Sequence, residues 1–329
     1  MRAAVLRGPR DLRIEEVADP LPPPGWALIR TAAVGICGTD KAFYTGAYPL
    51  FKRPLIPGHE AAGYVLEGPS ELRNKLVVPE INFPCWRCPA CKTGLYTHCP
   101  SKRTLGIDFD GALAELFVAP VEALHRVERL DPVVATEVEP LAALINALRQ
   151  APPDPSGSVA VIGTGNLALL LLQLLRWKGF EPVVFARPDS PKLKLVERYA
   201  GEVVAVGEAG RYAAERTRGG LGFDAVFEVS GDPDALNLAI EVVRPRGVIH
   251  LKSTPGSPGR VNATRAVVKE ARIVGTRCGN FEDFDEAIRL LEKGIVRPVI
   301  THTVEGLDGA LEAFSKALDR DQVKVVVRA

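Results

Sequence analysis

The stretch SVAVIGTGNLALLLLQLLRWK, residues 158–178, decides how this chain folds. Residues 158–163 form a short apolar run suited to a buried strand, and residues 166–178 an apolar run of helical length. Between them lies a glycine turn. Gly163 and Gly165 occupy the first two positions of a phosphate-binding fingerprint, and Ala168 the third, where alanine is tolerated. Glycines there let backbone amides approach a pyrophosphate at the positive end of the next helix, with Asn166 and Leu167 as amide donors. A glycine pair alone is weak; flanked by a strand and a long helix it is strong.

Downstream, strands are expected at 182–186, 203–206, 225–229 and 248–251, and helices at 190–199 and 234–243. This alternation is the signature of a doubly wound parallel sheet, closed by a strand at 272–276. The second strand of such a domain normally ends on an acid that binds the adenosine ribose. Here VVFARPDSPKLK places Arg187 at that point, which suits a 2′-phosphate. NADP(H) is therefore the preferred cofactor; Asp189, two residues on, leaves NAD(H) possible.

Upstream, PPDPSG (152–157) reads as a linker. Before it, short strands at 1–6, 12–16, 26–34, 61–66, 75–79 and 111–119 are punctuated by proline and glycine, as in LPPPG at 21–25. Residues 121–126 continue the series, which reads as a partly open β-barrel, and a helix follows at 135–148.

Two stretches of this first half carry candidate chemistry. In GICGTDKAFYTGAYPLFKRPLIPGHE (35–60), Cys37, His59 and Glu60 supply a thiolate, an imidazole and a carboxylate. Those ligand types hold a catalytic zinc while leaving a position open. In CWRCPACKTGLYTHC (85–99), Cys85, Cys88, Cys91 and Cys99 describe a closed, coordinatively full structural zinc. A nucleic-acid-binding zinc finger is disfavoured, because no basic helix follows and three cysteines crowd together instead of forming two separated pairs.

Composition sets the outer limits. A chain of 329 residues suggests two domains, and 47% hydrophobic with 25% charged residues is ordinary for a soluble protein. A net charge of +1 offers no footprint for nucleic acid or an anionic membrane. The N-terminal MRAAVLRGPR is neither signal peptide nor anchor, and no apolar run reaches the ~20 residues that span a bilayer, so a cytoplasmic location is expected. In that compartment clustered cysteines bind metal more often than they form disulfides. On residues alone, Glu139 reads as a solvated carboxylate, Cys278 as a buried thiol, and His98, His125, His250 and His302 as structural or surface groups.

Taken together, GICGTD, GHE, the cysteine quartet, EPLA at Glu139 and VIGTGNLA make the chain resemble the zinc-containing medium-chain dehydrogenase/reductase family, the alcohol dehydrogenase group. The resemblance covers essentially the whole chain. It implies an α/β protein with a GroES-like catalytic barrel and its zinc lobe at 1–150 and a Rossmann nucleotide-binding domain at 151–277. A C-terminal return to the barrel at 278–329 follows, with helices at 284–293 and 305–318 and a last strand at 323–327. The active site is implied between the domains.

The resemblance also implies roles. Cys37 and His59 become catalytic zinc ligands, and Glu60 a conditional one that exchanges with water. Glu139 becomes a further ligand, direct or through water, which reverses its surface reading. Thr39 takes the alcohol proton, and Lys324 matches a basic position that reaches the nicotinamide-side phosphate. Many relatives carry a relay histidine five residues after the zinc cysteine, where this chain has Ala42.

The implied protein has one catalytic and one structural zinc. It passes a hydride between NADP(H) and a small secondary alcohol or ketone, as a homodimer or homotetramer. Glu139 points to sugar or polyol dehydrogenases as an alternative. A non-catalytic NADPH-binding scaffold is a third reading, opposed by the intact Cys37, His59 and Glu60. Phe43, Tyr44, Tyr48 and Phe51 are expected to line a substrate pocket or to pack a loop.

Overall fold

The strand Trp26–Gly35 alternates buried Ala27 and Ile29 with the more exposed Trp26, Leu28 and Arg30 over its first half, then is buried throughout. Strands buried on both faces lie centrally in a sheet, and this one does. In the computed structural model, which describes residues 1–329, it anchors a seven-stranded sheet. The order is His302–Glu305, Val325–Arg328, Trp26–Gly35, Glu60–Glu67, Leu76–Pro79, Leu124–Val127, with Leu116–Pro120 also paired to Trp26–Gly35. Arg2–Gly8 and Asp11–Glu16 form a separate antiparallel hairpin. Residues such as Leu6, Ile29, Leu55, Leu105 and Phe314 fill the core of this unit.

The chain separates into two compact units. The first holds 1–142, 278–292 and 300–329; the second holds 143–277 and 293–299. The division falls within the helix Val138–Gln150, upstream of the proline-rich linker, and residues 293–299 of the expected C-terminal return belong to the second unit.

Three expectations about the first unit change. Of 111–119 only Leu116–Pro120 is a strand, because the Gly111 and Leu113 amides bond instead to the Ile56 and Pro57 carbonyls, at 2.7 and 3.0 Å. The helix at 135–148 is two helices, Pro132–Ala135, capped by the Asp131 side chain, and Val138–Gln150. The helix at 305–318 shortens to Ala310–Ala317, since His302–Glu305 pairs in parallel with Val325–Arg328.

The second unit is a six-stranded parallel sheet. Its order is Glu202–Ala205, Val183–Ala186, Val159–Ile162, Phe223–Glu228, Val243–Leu251, Arg272–Gly275. The order reverses direction at Val159–Ile162, the switch point where such sheets take nucleotides beyond their strand ends. The helix expected at 190–199 is a single turn, Leu193–Val196, and Ala209–Arg216 and Ala263–Val268 are helices not expected from the sequence. No helix is long and apolar enough to cross a membrane.

Candidate active site

Cys37 is placed by the end of Trp26–Gly35 and by a short helix, Gly38–Thr45, for which it is the N-cap. Asp40, three residues on, turns back and accepts the Cys37 N–H at 2.9 Å, satisfying a donor that the helix start would leave open. The same carboxylate accepts the Gly58 N–H at 3.4 Å and lies 3.7 Å from His59 Nδ1. One fully buried acid thus fixes the backbone on both sides of the site and faces the imidazole. Burial pushes the Asp40 pKa up, with His59 and the Cys37 amide opposing. Burial pulls that of His59 down, but Asp40 and Cys37 outweigh it and hold it well above the ordinary imidazole range. In the sequence, the signal for this role of Asp40 is an acid at the third helical position after Cys37.

Glu60 pairs with Gly35 across adjacent antiparallel strands, which brings the histidine–glutamate pair beside the cysteine. Cys37, His59 and Glu60 each offer one ligand atom, all within 4.8 Å of one another. The site fits a zinc ion on two counts. The donors are a thiolate, an imidazole and a carboxylate, and the backbone opposite Glu60 is cut away to admit its side chain. A Cβ on Gly35 would stand 2.6 Å from Glu60 Oε2.

Lys324 and Glu137 also meet beside Glu60. Lys324 was expected on a cofactor phosphate. It is 3% exposed, and its ammonium contacts Glu60 Oε2 and lies 3.2 Å from Glu137 Oε1. Burial pulls its pKa down, and Glu137 and Glu60 more than reverse that, so it stays charged. Glu137 is fully buried, whereas Glu139 is half-buried in the first turn of Val138–Gln150 and outside the three-ligand group. The acid brought to the lysine is Glu137, two residues before the one that the family resemblance singles out as a metal ligand.

Thr39 sits half-buried in the first turn of Gly38–Thr45, with Ala42 one turn on. Phe43 and Tyr44 are core residues: Phe43 stacks on Tyr48 at 5.7 Å, and Tyr44 meets Phe314 at 5.1 Å. Phe51 is exposed.

Cys85, Cys88, Cys91 and Cys99 form a second group, again within 4.8 Å. Amides of Arg87 and Cys88 hold the Cys85 thiol down to about 6, toward the thiolate that a metal needs. Burial and the neighbouring sulfurs push the Cys91 thiol up to about 12. Tyr96, inside the lobe, donates to Glu80 Oε2 at 2.7 Å and accepts the Phe281 N–H at 2.6 Å. Glu80 also faces His125 Nε2 at 3.5 Å, and His125 Nδ1 meets Asp285 at 2.8 Å. His125 is therefore a buried link between carboxylates.

In the second unit the glycine turn stands where expected. Gly163 has φ +125°, and a Cβ there would come within 3.0 Å of Ser230, so only glycine fits. Gly165 caps the twelve-residue helix Asn166–Trp177, and Ala168, in its first turn, is fully buried. Arg187 follows the strand Val183–Ala186 and is exposed. The Thr164 and Ser190 hydroxyls lie 3.0 Å apart, tying the glycine turn to the turn after Arg187.

Residues 23–129 match the alcohol dehydrogenase GroES-like domain, and residues 167–293 the zinc-binding dehydrogenase domain. The L-threonine 3-dehydrogenase of Pyrococcus horikoshii is 31% identical, over 91% of this chain and 90% of that protein. The erythritol/L-threitol dehydrogenase of Mycolicibacterium smegmatis is 32% identical, over 99% and 96%. Among solved structures, a zinc-binding dehydrogenase of Sinorhizobium meliloti bound to NADP superposes with a TM-score of 0.88 at 27% identity, over 100% and 99% of the two chains. With a GroES-like barrel, a Rossmann sheet and full-length relatives of this kind, the chain belongs to the zinc-binding medium-chain dehydrogenase/reductase family of oxidoreductases.

Proposed function

We propose that the protein is a zinc-dependent, NADP(H)-preferring dehydrogenase that interconverts a small secondary alcohol and its ketone. The observation that carries this reading is the convergence of Cys37, His59 and Glu60 within 4.8 Å. Cys37 and His59 would hold the catalytic ion, Glu60 would join or leave it, and the four lobe cysteines would hold a structural ion. Zinc supplies a Lewis acid for the substrate oxygen when bound, and NADP a hydride acceptor. The chain's residues do the rest. Asp40 holds Cys37 and His59 in place, and Thr39 takes the alcohol proton. With Ala42 at the next turn, water carries that proton onward. Amides at the start of Asn166–Trp177 receive the pyrophosphate, and Arg187 receives the 2′-phosphate.

Polyols and hydroxy amino acids are the second substrate reading. It is supported by the erythritol/threitol and threonine dehydrogenases among the relatives. A panel of simple secondary alcohols, polyols, sugar acids and L-threonine, followed by NADPH absorbance, distinguishes the two. Turnover of none, with two zinc ions bound per chain, would refute the dehydrogenase reading. A higher kcat/KM with NADH than with NADPH would refute the role of Arg187.

A further inference from the structure

Glu60 is claimed twice. Its carboxylate belongs to the group with Cys37 and His59, and it also contacts the Lys324 ammonium. Acting alone as the lysine's counter-ion, it could not turn toward a metal without leaving a buried cation uncompensated, which is among the costliest states in a protein interior. Lys324 and Glu60 are 3% and 2% exposed, so water offers little relief.

A second carboxylate meets the same ammonium. Glu137 is 0% exposed, and its Oε1 stands 3.2 Å from Lys324 Nζ. Its backbone is held on both sides: its N–H donates to Val134 O at 3.0 Å, and its carbonyl accepts the Leu141 N–H at 3.1 Å. It therefore stands at the junction of the helices Pro132–Ala135 and Val138–Gln150, a fixed position. A helix start also favours a negative charge. For a lysine with one acid at hand, a second buried carboxylate is a cost without return. For a lysine whose first acid has another task, it is a standing partner.

We infer that Glu137 is a positioning residue that keeps Lys324 paired whenever Glu60 turns to the metal held by Cys37 and His59. Glu60 then exchanges partners without stranding the lysine, and the lysine is the intermediary between Glu137 and the metal. This rests on the catalytic-zinc reading above.

The test uses the full-length holoprotein, with zinc per chain counted during challenge by a chelator and with the visible spectrum of cobalt exchanged into the site. Glu137→Gln keeps the shape and removes the charge, leaving Glu60 as the carboxylate paired with Lys324. Release of the second zinc should quicken by on the order of 10-fold or more, with a changed cobalt spectrum. Adding Lys324→Met removes the cation that pulls on Glu60, and the double variant should recover slow release and the original spectrum. Wild-type release and spectrum in Glu137→Gln would overturn the inference. So would a defect that Lys324→Met does not reverse, because the lysine would then not be the intermediary. If the wild-type protein binds only the lobe's zinc, the reading beneath the inference fails and takes it along. Melting curves of both variants separate these results from simple misfolding.

Discussion

The two sulfur-bearing groups differ in how the chain assembles them. The lobe takes four donors of one kind from fifteen consecutive residues, and its sulfurs are already close, with Cys88 and Cys91 3.5 Å apart. The Cys37 group takes three donors of three kinds from two strands and a helix start, under a buried aspartate, and shares one donor with a lysine 264 residues away. A closed, uniform set can be local because it only has to hold. A mixed set that must leave room for substrate needs its ligands fixed from outside, and those supports come from distant parts of the fold.

Exchanging the damage between the two groups breaks the comparison most directly. Cys37→Ala should lower kcat/KM by more than about a thousandfold, while zinc falls from two to one per chain and the melting curve barely moves. Cys99→Ala should do the reverse, costing roughly 3 kcal/mol or more of stability and leaving the second zinc bound. Equal loss of stability in the two variants would mean that both groups are structural.

Acid treatment is another way to compare the groups, and His250 sets its background. This ring is 0% exposed, stacks on Phe227 at 4.0 Å, and has no hydrogen-bond partner at either nitrogen. Burial and the nearby Arg272 and Lys252 charges lower its pKa from 6.5 to about 4. Above the unfolded value the ring is neutral in both states and adds no pH dependence. Between that value and the folded one, only the unfolded chain takes up the proton. Stability should therefore fall as pH drops from ~6.5 to ~4, by up to about 3 kcal/mol. His250→Leu should flatten that part of the profile in urea titrations, and an unchanged slope would place the acid sensitivity elsewhere.

The smallest effect is expected at Tyr96, which ties the lobe to its surroundings. Tyr96→Phe removes a donor from buried Glu80 and an acceptor from Phe281, costing about 1–3 kcal/mol. Zinc content and turnover should not change.

The same contrast explains what could be read from the sequence. The cysteine spacing and the glycine turn were legible because each is a local device whose geometry is encoded within a few residues. The barrel and the parallel sheet followed from strand texture and alternation. Glu137 and Lys324 were harder, since each is a charge set in a mostly apolar run, VVATEVEPL and QVKVVVR, and only the fold reveals that they meet. Of the two acids in that first run, family likeness drew attention to Glu139, while the burial went to Glu137. The helix expected over 305–318 lost its first residues for a similar reason: the pairing of His302–Glu305 with Val325–Arg328 outweighed local pattern, and Ala310–Ala317 remained helical.

Lys324 also dates the site within the life of the chain. Cys37, His59 and Glu60 leave the ribosome before Lys324, which follows Glu60 by 264 residues. At ordinary rates of synthesis that interval is on the order of ten to fifty seconds. Throughout it, Glu60 is without Lys324, and once Glu137 is made there are two like charges awaiting that cation. The strand Val325–Arg328, laid against Trp26–Gly35, brings Lys324 in with it. Closing the sheet and neutralising the site are then one event.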